Sequence, residues 1–116
     1  MILRVCAWLI PSAAIVMTIV PPGFRPVMGI SHAFEHFFCF LACGMVLSVQ
    51  WPKPKLALYA AGITFCAALE VVQIWIPGRH ARLSDFLLDA CATALGITLV
   101  RILQSIRSFL GVAVSA

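Results

Sequence analysis

The stretch Glu70-Val-Val-Gln73-Ile-Trp-Ile-Pro77-Gly78-Arg79-His80-Ala-Arg82-Leu-Ser84-Asp85-Phe-Leu-Leu-Asp89 decides the fold. It holds three of the four acidic residues, two of the eight basic ones and one of the three histidines, and long apolar runs flank it. Pro77-Gly78 stops a helix, and Ser84 can cap the next, with Asp85 in the first turn where the macrodipole favours an anion. The stretch therefore reads as a helix end, a basic turn and a helix start. Polar groups are costly inside so apolar a chain, so these residues need an explanation.

The remainder of the 116 residues sets the solvent. Hydrophobic residues make up 63%, charged residues 10%, and mean hydropathy is +1.08. A soluble domain carries roughly 45–50% apolar and about 25% charged residues, so the composition is that of an integral membrane protein. The length suits one domain, residues 1–116, with at most four spans. The net charge of +4 comes from cations placed singly or in pairs at the ends of apolar runs. That is the placement of membrane anchors, and no basic stripe suggests a nucleic-acid partner. Cys6, Cys39, Cys43, Cys66 and Cys91 all lie in apolar runs without a Cys-x-x-Cys pair, and read as small buried hydrophobes.

The expected fold is all-α: a bundle of four transmembrane helices, at about 3–20, 32–50, 56–76 and 85–106, joined by short loops. Pro11 interrupts the first run. Arg4 and the small residues after it give that run some look of a signal peptide, but no clear cleavage site ends it, and a retained helix is expected. Pro21-Pro22-Gly23 closes it. Ser31 is a candidate cap for the second helix, Trp51-Pro52-Lys53-Pro54-Lys55 a tight turn, and residues 108–116 a short tail. Four spans put both termini on one side with Arg4, Lys53, Lys55, Arg101 and Arg107, against Arg25, Arg79 and Arg82 on the other. The positive-inside rule places the termini in the cytoplasm and loop 77–84 outside.

Helical spacing then gathers the polar residues at the outer end. His32, Glu35 and His36 share a face at i, i+3, i+4; Glu70 and Gln73 are i, i+3; Asp85 and Asp89 are i, i+4. Glu70 lies roughly 10 Å in from Pro77. Each face continues as a small-residue stripe: His32, His36, Cys39 and Cys43; Gly62, Cys66, Glu70 and Gln73; Asp85, Asp89, Ala92 and Gly96. Such stripes let helices approach closely in lipid, so the faces are expected to meet around a small polar pocket. Its candidate ligand-binding residues are His36, Glu70, Gln73, Arg79, Asp85 and Asp89, with His36, Glu70 and Asp85 as candidate acids or bases. The alternative is structural: Glu70 pairs with Arg79 or Arg82, and Asp85 or Asp89 with a histidine, only to lock helices. Residues 32–36 also spell H-x-x-E-H, a zinc pattern with Glu70 or an aspartate as a third ligand. The soluble architecture behind that pattern does not fit in this chain, and neither a metal nor a cofactor is expected.

With these residues in hand, the chain resembles the VanZ-like family of small bacterial membrane proteins from about His32 to Gly96. The family's Glu-x-x-Gln, then Pro and Arg, is matched by Glu70, Gln73, Pro77 and Arg79. Its following Asp and a later glycine are matched by Asp85 and Gly96, and its His-Phe by His36-Phe37. The chain departs at Asp89, where the family has Asn, and at Ala92, where it has Gly. At 32–33 it has His-Ala where the family often has Asp-Lys. The resemblance implies a multi-pass protein of the bacterial inner (cell) membrane, and the namesake is linked to teicoplanin resistance. It implies no established reaction. Three functions follow as expectations: engagement of an anionic, lipid-linked cell-envelope component at the outer leaflet, with Arg79 on its head group; an enzyme acting on such a substrate; or a scaffold. The oligomeric state is open.

Overall fold

The computed structural model describes residues 1–24, 29, 31–51 and 55–115. Arg25 and Lys53, two of the cations used for orientation, lie outside the described residues. Four helices follow one another: α1 (Ile2–Ile19), α2 (His32–Gln50), α3 (Lys55–Gln73) and α4 (Leu83–Ser115), with a short 3₁₀ turn at Pro22–Phe24. No strand occurs among the described residues. Three segments are long and apolar enough to cross a membrane: His32–Gln50, Leu56–Gln73 and Leu83–Gly111. The apolar part of α1, Arg4–Ile19, is shorter.

Helix boundaries follow from local chemistry. α1 runs through Pro11, one lost backbone bond being tolerable inside an apolar helix. Ser31 does occupy the cap position of α2, yet it contributes its carbonyl, to the N–H of Phe34 and Glu35, with no side-chain bond. α3 ends at Gln73, three residues before the expected end. Pro77 excludes helix from the residue before it, and residues 74–76 tighten into i→i−3 bonds onto the Val71, Val72 and Gln73 carbonyls. Gly78, with φ +80°, then reverses the chain in the left-handed region that glycine enters freely. α4 begins at Leu83, two residues earlier than expected. The Arg82 carbonyl accepts its first bonds, from Asp85 and Phe86, so Ser84 lies inside the helix and is not its cap. At the other end α4 continues through Ser115, nine residues past 106, so the expected tail is helical.

The helices alternate in direction. One end gathers the C-termini of α1 and α3 with the N-termini of α2 and α4; the other brings the C-terminus of α2 beside Arg101, whose guanidinium donates to the Trp51 carbonyl at 3.2 Å. The most extensive interface is α2 on α4, while α2 and α3, though consecutive, barely touch. α2 and α4 are therefore the central pair, with α1 packed mainly on α2 and α3 mainly on α4. α4 buries Asp89, Ala92, Thr93, Gly96, Ile97 and Val100, and α2 buries His36, Phe40, Cys43, Gly44 and Ser48; the Thr93 and Ile97 side chains also stand against Gly62 of α3. Two glycines set the spacing. A Cβ at Gly44 would stand 2.1 Å from the Thr93 carbonyl oxygen, and one at Gly96 2.2 Å from that of Leu41. Backbones so close gain dispersion and weak C–H contacts, which drive association where lipid removes the hydrophobic drive.

The outward surface is apolar: Trp8, Phe34, Phe38, Val71, Trp75, Leu87, Leu95 and Leu99 are exposed, while Thr18, Ser48, Gln73 and Thr93 are buried. Greasy outside and small or polar inside is the arrangement lipid demands.

Candidate functional site

Asp89 sits nearly two turns into α4 on the stripe that meets α2, and His36 lies about one turn into α2 directly opposite. Both are buried, 5% and 3% exposed for His36 and Asp89. The His36 Nδ1 lies 3.2 Å from each carboxylate oxygen of Asp89, so one N–H is shared across the fork. With Nδ1 committed, the second ring nitrogen decides what the site can do. The His36 Nε2 is buried and has no hydrogen-bond partner among the described residues. The exposed His32 ring lies against the His36 ring, centroids 4.3 Å apart and tilted by 55°, and Phe40 stacks on it at 5.9 Å. Asp89 fixes the ring's direction and Phe40 its depth.

Below this pair a second polar layer continues. Thr93 Oγ1 donates to the Asp89 carbonyl at 2.8 Å and lies 3.4 Å from Cys66 Sγ on α3. Thr93 therefore ties α3 to the helix that holds Asp89. The sequence carried a signal for it, since it stands four residues after Asp89, but a lone Thr in an apolar helix does not announce itself. Gly44, eight residues after His36, was likewise missed. Further down, Tyr59 and Thr98 share a 2.6 Å hydrogen bond.

The residues expected to line the pocket do not all serve it. Glu70 Oε1 accepts the Arg82 backbone N–H at 2.5 Å, joining the end of α3 to the residue before α4. The expected partner is met, through its main chain. Arg79 reaches back to α1: its Nη2 donates to the carbonyls of Met17 at 2.7 Å and Val20 at 2.9 Å. A guanidinium there caps the last turn of α1, as the helix dipole favours. Gln73 is buried at the same end, and Asp85 is half-buried in the first turn of α4, where Ser84 Oγ donates to its carboxylate at 3.5 Å. Arg82 and His80 are exposed in the loop. On α2 the buried face is His36, Phe40, Cys43, Gly44 and Ser48, so the expected stripe is rotated: His32 is exposed and Cys39 only half-buried. Among the described residues no three His, Cys, Asp or Glu side chains converge to hold a metal ion.

Geometry thus leaves a buried imidazole–carboxylate pair at the polar end, with structural ties around it. No curated protein and no solved structure matches the chain. The VanZ/LLP1 family model matches residues 4–104, which take in α1 from Arg4, all of α2 and α3, and α4 as far as Gln104. The chain is a member of the VanZ-like family of membrane proteins.

Proposed function

We propose that this protein engages a lipid-linked cell-envelope component at the outer leaflet of a bacterial inner membrane, with His36 as its recognition group. The observation that carries the reading is the buried His36, held on Nδ1 by Asp89 and without a partner at Nε2 among the described residues. An imidazole held at Nδ1 accepts at Nε2 when neutral and donates there when protonated, so the fitting ligand group is a hydroxyl or amine, which can meet either form. The surrounding Glu70, Asp85 and Asp89 favour the same choice over an anion, and Arg79 is spent on α1. An anionic lipid-linked head group still fits when its phosphate stays at the surface near Arg82 and His80 and its hydroxyl reaches His36. The sequence's five cations against three support a cytoplasmic side for both termini and an outer side for this polar end.

One observation favours a second reading, an enzyme on the same substrate class. A carboxylate that fixes one imidazole nitrogen and leaves the other without a partner resembles the arrangement of a general base, which takes a proton from a hydroxyl. A third reading, the scaffold, is supported by Glu70 and Arg79, which tie elements together.

The test is to purify the full chain from bacterial membranes in nanodiscs and identify the retained lipids by native mass spectrometry, beside His36→Phe and Asp89→Asn. The expected result is a hydroxyl- or amine-bearing envelope lipid on the wild type, lost from His36→Phe at unchanged abundance and melting temperature. Retention by all three would sink the recognition role. A chemically altered lipid that appears only with intact His36 and Asp89 decides for the enzyme. Teicoplanin susceptibility of a host expressing the same set tests the link to resistance.

A further inference from the structure

The last third of α4 is unaccounted for by the packing described above. Arg101, bonded to the Trp51 carbonyl, stands level with the end of α2, so it marks one edge of the packed region. From Ile102 to Gly111 every residue is exposed, although the helix runs on to Ser115. The apolar segment Leu83–Gly111 has 29 residues, roughly 43 Å at the helical rise, against a hydrocarbon core of about 30 Å. The start of α4 is tied to Glu70 through Arg82, so the surplus emerges at the C-terminal end.

The overhang is two-faced. Leu99, Ile102, Leu103, Ile106, Phe109 and Leu110 fall within roughly 120° of the helix circumference, and Arg101, Gln104, Ser105, Arg107 and Ser108 take the remainder. Phe109 is 75% exposed and Leu103 61%. Water does not suit that apolar face. Charge decides what does. No acidic residue follows Asp89, so the overhang's one charged side chain is Arg107, with Arg101 at its edge. A second copy of the same helix would set like charges together with no counter-charge, whereas anionic head groups complement them and adjoin the helix where it leaves the bilayer.

We propose that the overhang from Ile102 to Ser115 is an interfacial anchor that folds onto an anionic lipid surface beside Trp51. It buries the Ile102–Leu110 face at the acyl boundary and sets Arg107 among lipid phosphates. Ser108 Oγ donates to the Ser105 carbonyl at 2.8 Å, a side-chain back-bond of the kind that bends helices, which places the bend in the turn that must yield.

Hydrogen exchange of the full chain in nanodiscs tests this, with phosphatidylcholine alone compared with phosphatidylcholine plus phosphatidylglycerol. The expected result is exchange of the 102–115 amides slowed about fivefold or more by the anionic lipid, the factor one cation near such a surface contributes. Arg107→Gln should lose most of that slowing and Arg107→Lys keep it, with α2 and α4 up to Val100 unchanged in both. Equal exchange in the two lipids overturns the proposal. Protection that appears only when several chains share one bilayer patch overturns it as well, since a second copy then covers the face.

Discussion

Gly44→Ala probes the contact on which the candidate site rests. The added Cβ would lie 2.1 Å from the Thr93 carbonyl oxygen, and ordinary contact begins at 3.4 Å, so α2 and α4 must part by about 1.3 Å, 3.4 less 2.1. The three nearest atoms all belong to the Thr93 backbone, so no side chain can swing aside and the helices move as bodies. The same movement carried to His36 and Asp89 would stretch their 3.2 Å contacts to as much as about 4.5 Å, beyond hydrogen bonding. Overpacking alone costs about 1–3 kcal/mol, and loss of the buried pair brings the expected total to about 3 kcal/mol or more. Gly111→Ala is the matched control: it is also helical, has nothing within 4 Å of its Cβ, and should gain up to about 1 kcal/mol of helix propensity. Thermal unfolding in one detergent, read by circular dichroism, should put Gly44→Ala on the order of 10 °C below wild type and Gly111→Ala at or above it. A Gly44→Ala protein that melts with Gly111→Ala would refute the close α2–α4 approach and the site geometry built on it.

Arg79→Lys keeps the charge but replaces the planar guanidinium with a shorter, freely rotating ammonium, and should loosen α1 by about 1–2 kcal/mol; faster exchange of the α1 amides with α2–α4 unchanged is the sign to look for. Glu70→Ala leaves the Arg82 N–H unmatched and should cost about 1–3 kcal/mol, whereas Glu70→Gln, which keeps an acceptor oxygen, should recover most of it in the same melting experiment. Tyr59→Phe removes the bond to Thr98, away from the site; about 0.6 kcal/mol is expected, with lipid retention by His36 untouched.

Four helices, their order and the polar end were legible because each rests on local rules: apolar runs, prolines that end them, and i, i+3, i+4 spacing. Histidine against Asp85 or Asp89 was legible as a class of pairing, and the structure selects His36 with Asp89. Where Arg79 goes was not. Its partners are main-chain carbonyls about sixty residues earlier, and a carbonyl leaves no mark in sequence. The early end of α3 was implicit in Pro77, whose restriction on the preceding residue propagates as a tightened turn. The length of α4 was hidden by its own amphipathy: past Arg101 polar residues multiply, which reads as a tail, yet no proline interrupts them and the apolar stripe keeps helical phase.

The dominance of the α2–α4 interface also sets a timetable for biogenesis. During synthesis α1, α2 and α3 precede α4; α1 can pack on α2 and Phe40 can meet Phe65, but α2 and α3 share little surface, and His36 and Gly44 lack their α4 partners until that helix arrives. Contacts such as His36 with Asp89, fifty-three residues apart, cannot form while the chain is still emerging. The nascent protein therefore passes through a stage in which the α2–α4 face is unmade, with His36 of α2 and Glu70 of α3 exposed until Asp89 and the Arg82 N–H reach them. Completion of one helix ends that exposure in a single step.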